Sequence, residues 1–191
     1  HPLLADNLNI QSSEMTIDKE SRSTIFKGGV VARDHKNNVF KTNYAEYKKD
    51  LKFLKSKGET TVITSEGYSI SGENIIFDNK NGFIKSDNKT TIKDLEKNNI
   101  FLENFEYSVE RNFFKSIGKI KIIDTNNNSY NFSQIFIDEK KREIIGSDIK
   151  AFLNQEDFKI DKNNKPRVFA NTVKIENQKS EFTKSIFTLR D

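Results

Sequence analysis

The chain contains no cysteine. That excludes a disulfide framework, a Cys-ligated zinc site and a thiol nucleophile, and it leaves the redox compartment open. Histidine is scarce too, with two in 191 residues. One of them, His35, sits in Asp34-His35-Lys36-Asn37-Asn38, whose polarity reads as a turn and not as the surroundings of a general base. Long apolar runs are missing, so nothing looks like a signal h-region or a spanning helix. The start at His1-Pro2 without an initiator Met suggests a processed or trimmed chain. Helix signals are few: Asp94-Leu95-Glu96-Lys97-Asn98 reads as one turn, and Asp148 to Asp157 as a short helix.

Motifs with chemistry in them are equally sparse. Asp124-Thr125-Asn126-Asn127-Asn128 imitates the start of a calcium loop, but Ser129 stands where the Gly belongs and Ile135 where the bidentate Glu belongs. A hairpin turn is the better reading. Gly67 and Gly72 bracket Tyr68-Ser69-Ile70-Ser71 without a following Gly-Lys-Ser/Thr, so they read as bulge or tight-turn glycines and not as a phosphate cradle. Glu103, Glu106 and Glu110 are close in sequence, yet acidic residues are too widespread for spacing to select a catalytic pair. Aromatics alternate with Lys, but they share the periodicity of Ile and form no RNP-like phrase, which excludes nucleic acid as the expected partner. No nucleotide motif, metal set or cofactor site is expected, and the chain reads as non-enzymatic.

What is present is a repeat. Two large apolar residues, a basic or small residue, then Ser or Gly recur as Ile25-Phe26-Lys27-Gly28, Phe53-Leu54-Lys55-Ser56, Phe83-Ile84-Lys85-Ser86, Phe113-Phe114-Lys115-Ser116 and Ile144-Ile145-Gly146-Ser147. Taken on the second apolar residue, the steps are 28, 30, 30 and 31 residues. A near-constant period of that size marks a stacked or rolled architecture. Each unit reads strand, polar turn, strand, as in Ile75-Ile76-Phe77-Asp78 followed by Asn79-Lys80-Asn81-Gly82. Phe114, Ser116, Gly118, Ile120 and Ile122 fall on one face, opposite Lys115, Ile117, Lys119 and Lys121. One side of each strand is meant for a core. Asn163 to Arg167 reads as a loop leading into Val168-Phe169-Ala170.

The length allows one large β domain, and the unbroken repeat argues for a single domain over 1–191. Hydrophobic content of 34% against 31% charged is lean, and suits an elongated sandwich with much surface per residue. The net charge of +4 comes from Lys scattered on outward strand positions, which read as a solvated face that also protects strand edges.

The opening stretch carries a resemblance. Ala5-Asp6-Asn7-Leu8-Asn9-Ile10, Met15-Thr16-Ile17-Asp18 and Thr24-Ile25-Phe26-Lys27-Gly28-Gly29-Val30, followed by Asn38-Val39-Phe40 into Ala45 and Tyr47, resemble the OstA-like (organic solvent tolerance) family of lipopolysaccharide-transport proteins. The later units repeat the same grammar across the chain. The resemblance implies an all-β jellyroll of two antiparallel sheets in an open V-shaped sandwich. It implies lipopolysaccharide, through its lipid A acyl chains, as the ligand of an apolar interior, and end-to-end docking with other OstA-like domains by edge strands. It also implies a periplasmic location associated with the outer membrane. The phrases Asn164 to Asn171 and Phe182 to Thr188 look most like the N-terminal periplasmic domain of the family's outer-membrane assembly protein, with the periplasmic bridge protein as the alternative. In the first case the chain is a fragment, whose further partners are an outer-membrane barrel and its lipoprotein. The cysteines that usually tie that domain to the barrel are missing, which leaves such a linkage open.

The residues expected to line the lipid groove are Ile75, Phe77, Ile84, Phe105, Tyr107, Phe114, Ile120, Ile122, Ile135 and Ile137. Lys115 and Lys119 are candidates for meeting lipid phosphates at the rim. Ordinary closed-core packing is the rival for every apolar one, and a structural adaptor with a filled interior is the rival function. A lectin-like solenoid would need stacked aromatics on the outer face, where Lys, Ser, Asn and Glu prevail.

Overall fold

The computed structural model describes residues 3–5, 8–152, 165–176, 179–183 and 186–190, with side-chain surroundings for 8–148 and 150. The described residues form strands and turns only, paired antiparallel throughout. Three short strands open the chain, β1 (Leu3–Ala5), β2 (Leu8–Gln11) and β3 (Glu14–Asp18), before two long ones, β4 (Ser23–Arg33) and β5 (Val39–Lys48). The next arms are each broken in the middle: β6 (Phe53–Ser56) with β7 (Glu59–Ile63), β8 (Ser69–Glu73) with β9 (Ile76–Asp78), β10 (Phe83–Ser86) with β11 (Thr90–Lys93), and β12 (Asn99–Leu102) with β13 (Phe105–Ser108). Continuous arms follow, β14 (Phe113–Ile123), β15 (Ser129–Asp138), β16 (Glu143–Phe152) and β17 (Lys165–Glu176), and the chain closes on β18 (Lys179–Thr183) and β19 (Ile186–Arg190).

Every arm pairs only with the arm before and the arm after it, so the topology is a simple meander. Its arms are bent, and the bend divides the meander into two half-sheets. One runs β3, the first part of β4, the end of β5, β6, β9, β10, β13, then the corresponding parts of β14 to β18. The other runs β1, β2, the end of β4, the start of β5, β7, β8, β11, β12 and onward to β19. Bulges bend the continuous arms: the register slips between Lys27 and Val30 at Gly28, with φ +75°, and between Ile117 and Ile120 at Gly118, with φ +121°.

The Phe-x-Lys-Ser phrase is the signature of this crease. Where an arm breaks, backbone groups lose their ladder partners, and the serine hydroxyl replaces them. Ser56 Oγ accepts from Ile75 N at 2.9 Å, and Ser116 Oγ donates to the Asn104 carbonyl at 2.6 Å. Ser86 Oγ likewise donates to the Glu73 carbonyl at 3.3 Å. In the first and last units, the equivalents of these serines are Phe26 and Gly146. Gly146 is dictated by space, since a Cβ there would lie 2.0 Å from Phe132 Cδ1. The true period is therefore a constant thirty, and the uneven steps read from the phrase arise because the first copy is displaced by two residues and the last by one.

Turns obey the same period. One row comprises Asp34–Asn38, Thr64–Tyr68, Asp94–Asn98 and Asp124–Asn128, each with its fourth residue in the left-handed region: Asn37 at +66°, Gly67 at +93°, Lys97 at +69° and Asn127 at +61°. The second row lies at 18–22, 48–52, 78–82, 108–112 and 138–142, with the fifth residue left-handed in each. Asp94 to Asn98 is thus a hairpin turn and not a turn of helix. Ile149 to Phe152 belong to β16, which corrects the expected helix from Asp148, and the rest of that stretch to Asp157 lies outside the described residues. Gly72 is neither bulge nor turn. It is an ordinary strand residue, narrow because Thr90 Oγ1 stands 3.0 Å from where its Cβ would be. Residues 165–167, expected as loop, pair with Arg190, Leu189 and Thr188, while Asn163 and Asn164 lie outside the described residues.

Candidate functional site: the apolar interior and its seam

The cross-strand register converts the thirty-residue period into rows of apolar side chains. In the first half-sheet one row runs Ile17, Thr24, Tyr47, Leu54, Phe77, Ile84, Tyr107, Phe114, Ile137, Ile144. In the second it runs Ile10, Ala32, Phe40, Val62, Ile70, Ile92, Ile100, Ile122, Tyr130. The first row from Tyr47 onward and the whole of the second belong to one core cluster. The Tyr68 ring at the edge of the second half stacks on Phe114 of the first, with centroids 6.1 Å apart. The two halves therefore face each other across a shared interior.

All ten expected groove residues lie in this interior, and each is at most 2% exposed. Phe77, Ile84, Tyr107, Phe114 and Ile137 share the first row, Ile122 is in the second, and Ile75, Phe105, Ile120 and Ile135 sit nearer the crease. Phe114 is the hub, touching Tyr107 at 4.4 Å and Phe105 at 6.4 Å between ring centroids. Beyond Ile120 and Ile122, residue-by-residue reading missed the second half-sheet's contribution, notably Phe40, Val62, Ile70, Ile92 and Ile100. The signal was available as columns thirty apart: Phe40, Ile70, Ile100, Tyr130, and Val62, Ile92, Ile122.

The side opposite the crease is formed by the two rows of turns, and there the halves touch. His35 Nε2 lies 3.3 Å from Glu110 Oε1, and Lys36 Nζ lies 2.8 Å from Glu110 Oε2. The Lys36 ammonium, donating to the Glu110 carboxylate, holds that carboxyl below the usual range. One turn further on, Asn112 Nδ2 donates to Ser65 Oγ at 3.0 Å, and Thr64 Oγ1 donates to Glu139 Oε2 at 3.0 Å. His35 is a turn residue, as expected. Partners across this seam stand far apart in sequence, 75 residues for His35 with Glu110 and for Thr64 with Glu139, and 47 for Ser65 with Asn112. A bent arm folded straight back would place the 34–38 turn over 18–22 and 48–52. It lies instead over 108–112, five strand spacings or about 24 Å along the ladder. The strands of the two halves consequently cross at an angle instead of running back over themselves. Crossing leaves the start of the first half uncovered: inward-row Ile17 is 65% exposed and its neighbour Met15 44%.

The turns owe their rigidity to one device used three times. Asp34 Oδ1 accepts from the backbone N of Lys36 and Asn38, at 2.9 and 2.8 Å, while Oδ2 accepts from Asn38 Nδ2 at 2.7 Å. Asp94 with Asn98 and Asp124 with Asn128 repeat the pattern. Asn38 Oδ1 also accepts from Ser65 N at 2.8 Å and so couples adjacent turns. Burial raises the Asp94 carboxyl above its ordinary range, opposed by the hydrogen bonds from Asn98. The apparent calcium loop at 124–128 is this hairpin device, with its carboxylate already occupied.

The 64–68 turn departs from the rule, with Thr64 in place of Asp. It faces Glu139, a carboxylic acid 1% exposed, whose Oε1 has no hydrogen-bond partner. Burial pushes this carboxyl up to about 8, with Thr64 donating against the shift and Glu66 and Asp138 adding to it. Among the described residues no group of three or more His, Cys, Asp or Glu could hold a metal ion. On the outer face by the crease, a concavity of about 360 Å³ has Leu102 and Thr90 in its lining, with Phe101, Lys119 and Lys121 beside them. Lys115 also points outward.

The geometry defines a class: a doubled-over antiparallel β-meander whose two half-sheets share one apolar interior. No protein-family model matches the chain, and no curated protein matches it. Among solved structures, the chain is similar to LptH from Pseudomonas aeruginosa, the LptA-homologous periplasmic component of the lipopolysaccharide transport device. That match has 14% identity and a TM-score of 0.29, and covers 75% of this chain and 86% of that one.

Proposed function

We propose that the chain is a non-enzymatic, OstA-like lipid conduit domain that carries lipopolysaccharide across the periplasm for outer-membrane assembly. The observation that carries this reading is the pair of inward apolar rows, continuous from Tyr47 to Ile144 in the first half-sheet and from Ile10 to Tyr130 in the second, between half-sheets whose described contacts along the open edge are made by turns. A lipid with several acyl chains needs a continuous apolar track. Each buried methylene contributes about 0.8 kcal/mol, so a chain of a dozen carbons is worth on the order of 10 kcal/mol when taken out of water. That gain can offset parting the halves along the turn seam, where polar contacts dominate. Acyl chains would then lie against Phe77, Ile84, Tyr107 and Phe114, with Ile75, Phe105, Ile120, Ile122, Ile135 and Ile137 around them.

The finer assignment is the N-terminal periplasmic domain of LptD, with LptA as the alternative. Its partners would then be the outer-membrane barrel and its lipoprotein, and like domains docked end to end. Exposed Met15 and Ile17 on β3, which among the described residues pairs with β4 alone, support docking at that end, because they continue the inner surface to the edge of the ladder. The closed-core adaptor is favoured by one specific observation, the near-complete burial of all ten candidates. A fluorescent fatty acid competed by purified lipopolysaccharide separates the two readings. The conduit takes up the probe and lipopolysaccharide displaces it; no uptake at any lipid concentration leaves the adaptor.

A further inference from the structure

Three of the four described turns in the first row carry Asp at their first position, and the exception, Thr64, is the turn that faces a buried carboxyl group across the seam. An Asp there would set a second carboxylate against Glu139. The second row shows the matching departure. Its second positions are Lys19, Lys49, Asn79, Val109 and Glu139, and of these Val109 and Glu139 are buried, at 2% and 1% exposure. Val109 fills its place as a hydrophobe, whereas Glu139 brings an ionisable group with one oxygen bonded to Thr64 and the other to nothing.

We propose that Glu139 is a proton-operated latch on the seam: in its neutral form it holds the 138–142 turn against the 64–68 turn, and on ionising it drives the two turns apart. A neutral carboxyl accepts the Thr64 hydroxyl and tolerates burial. A carboxylate in the same place has a single hydrogen bond and an unsolvated second oxygen, so it gains more by reaching water than by staying. Its surroundings offer no relief. The 64–68 turn presents Glu66 and Tyr68, the neighbouring strand presents Tyr107, and its own turn adds Asp138, and among the described residues no cation offsets the burial of its carboxyl. Arg142 acts on the Tyr68 hydroxyl, beside Asp94 and Glu96. Because Glu139 sits in the contact that joins the halves, and its backbone N donates to the Asn112 carbonyl at 3.0 Å, release also loosens the adjoining 108–112 turn. The direction follows from linkage. A carboxyl raised on folding favours the closed form below its unfolded pKa and loses that advantage as pH rises through its folded value. Opening is thus an alkaline event. That the opened seam admits lipid rests on the conduit reading; the latch itself does not.

Hydrogen exchange followed by mass spectrometry on the lipid-free chain, from pH 6 to 9.5 and corrected for intrinsic exchange, tests the latch without lipid. The expected result is that protection across 64–68 and 138–142 falls about tenfold per pH unit from pH 6 to about 8 and levels off above it, while the 34–38 turn keeps its protection. Glu139→Gln should abolish the transition and remain closed throughout. Thr64→Val removes the hydroxyl that favours the carboxylate and should move the transition to higher pH, which keeps the test open if the Gln variant does not fold. An identical profile in wild type and Glu139→Gln, or a loss spread evenly over every turn, would overturn the latch. A second arm adds a fluorescent fatty acid. Faster uptake at pH 9 than at pH 7 in wild type alone supports gating, whereas a working latch with no uptake at either pH overturns the gating and the conduit reading while leaving the latch intact.

Discussion

Replacing Asn38 with Ala removes the centre of the turn device, and its cost can be worked from the contacts. Asn38 is 1% exposed, donates from Nδ2 to Asp34 Oδ2 at 2.7 Å and accepts from Ser65 N at 2.8 Å. The Ala variant leaves a carboxylate oxygen of buried Asp34 and the part-buried backbone N–H of Ser65 without these partners. Hydrogen bonds to charged groups are worth about 1.5–3 kcal/mol and an orphaned buried donor about 1–3 kcal/mol, so with partial hydration the net loss should be about 3 kcal/mol. For a chain of this length that corresponds to roughly 6–12 °C in Tm. Urea unfolding monitored by circular dichroism reads the change as a lower midpoint with unaltered m. Thr125→Ala, at an exposed position of an equivalent turn, serves as the control and should stay within about 0.5 kcal/mol. Asn38→Asp should be worse than Asn38→Ala, because it sets a second carboxylate against Asp34. A loss below about 0.5 kcal/mol for Asn38→Ala would refute the idea that these turns are held by their internal hydrogen bonds.

Other expectations follow from the same coordinates. Phe114→Ala removes the ring that meets Tyr68, Phe105 and Tyr107, and should cost about 3–5 kcal/mol in denaturant unfolding. Gly146→Ala should destabilise by about 1–3 kcal/mol by overpacking against Phe132, and Phe132→Leu in the same chain should recover part of the loss, as a double-mutant cycle would read. Global stability should decline as pH rises from about 5 to 8, because Glu139 is neutral when folded and ionised when unfolded. The fall is capped by the free energy of opening the seam locally, and Glu139→Gln should flatten it in urea titrations at each pH.

Much of the fold could be read from the sequence because a thirty-residue period fixes both turn rows and both inner rows. The alternation around Phe114 to Ile122 was legible for the same reason: a strand buried on one face repeats every two residues. What escaped was the crossing of the halves. Nothing local in the Asp34 turn announces that its neighbour in space is Glu110, since that contact depends on sheet twist accumulated over several arms. The Phe-x-Lys-Ser phrase was visible but its cause was not, because the hydroxyls of Ser56, Ser86 and Ser116 matter only once the arms are known to break there. The helical reading of 94–98 failed because Leu, Glu and Lys carry no sign of the left-handed turn that the Asp94-to-Asn98 bonds impose at Lys97. Glu139 looked like one more residue in a charged turn, and burial alone distinguishes it from Lys140 and Lys141.

The most direct test of the lipid-conduit account is in vivo photo-crosslinking with the reactive residue placed at Phe77 or Phe114, inside the shared interior, and at Phe101 or Ile117, which are large apolar residues on the outer face. The account predicts lipopolysaccharide adducts at the two inner positions and none at the outer pair. Adducts confined to Phe101 and Ile117, or protein-only products at all four positions, would contradict it.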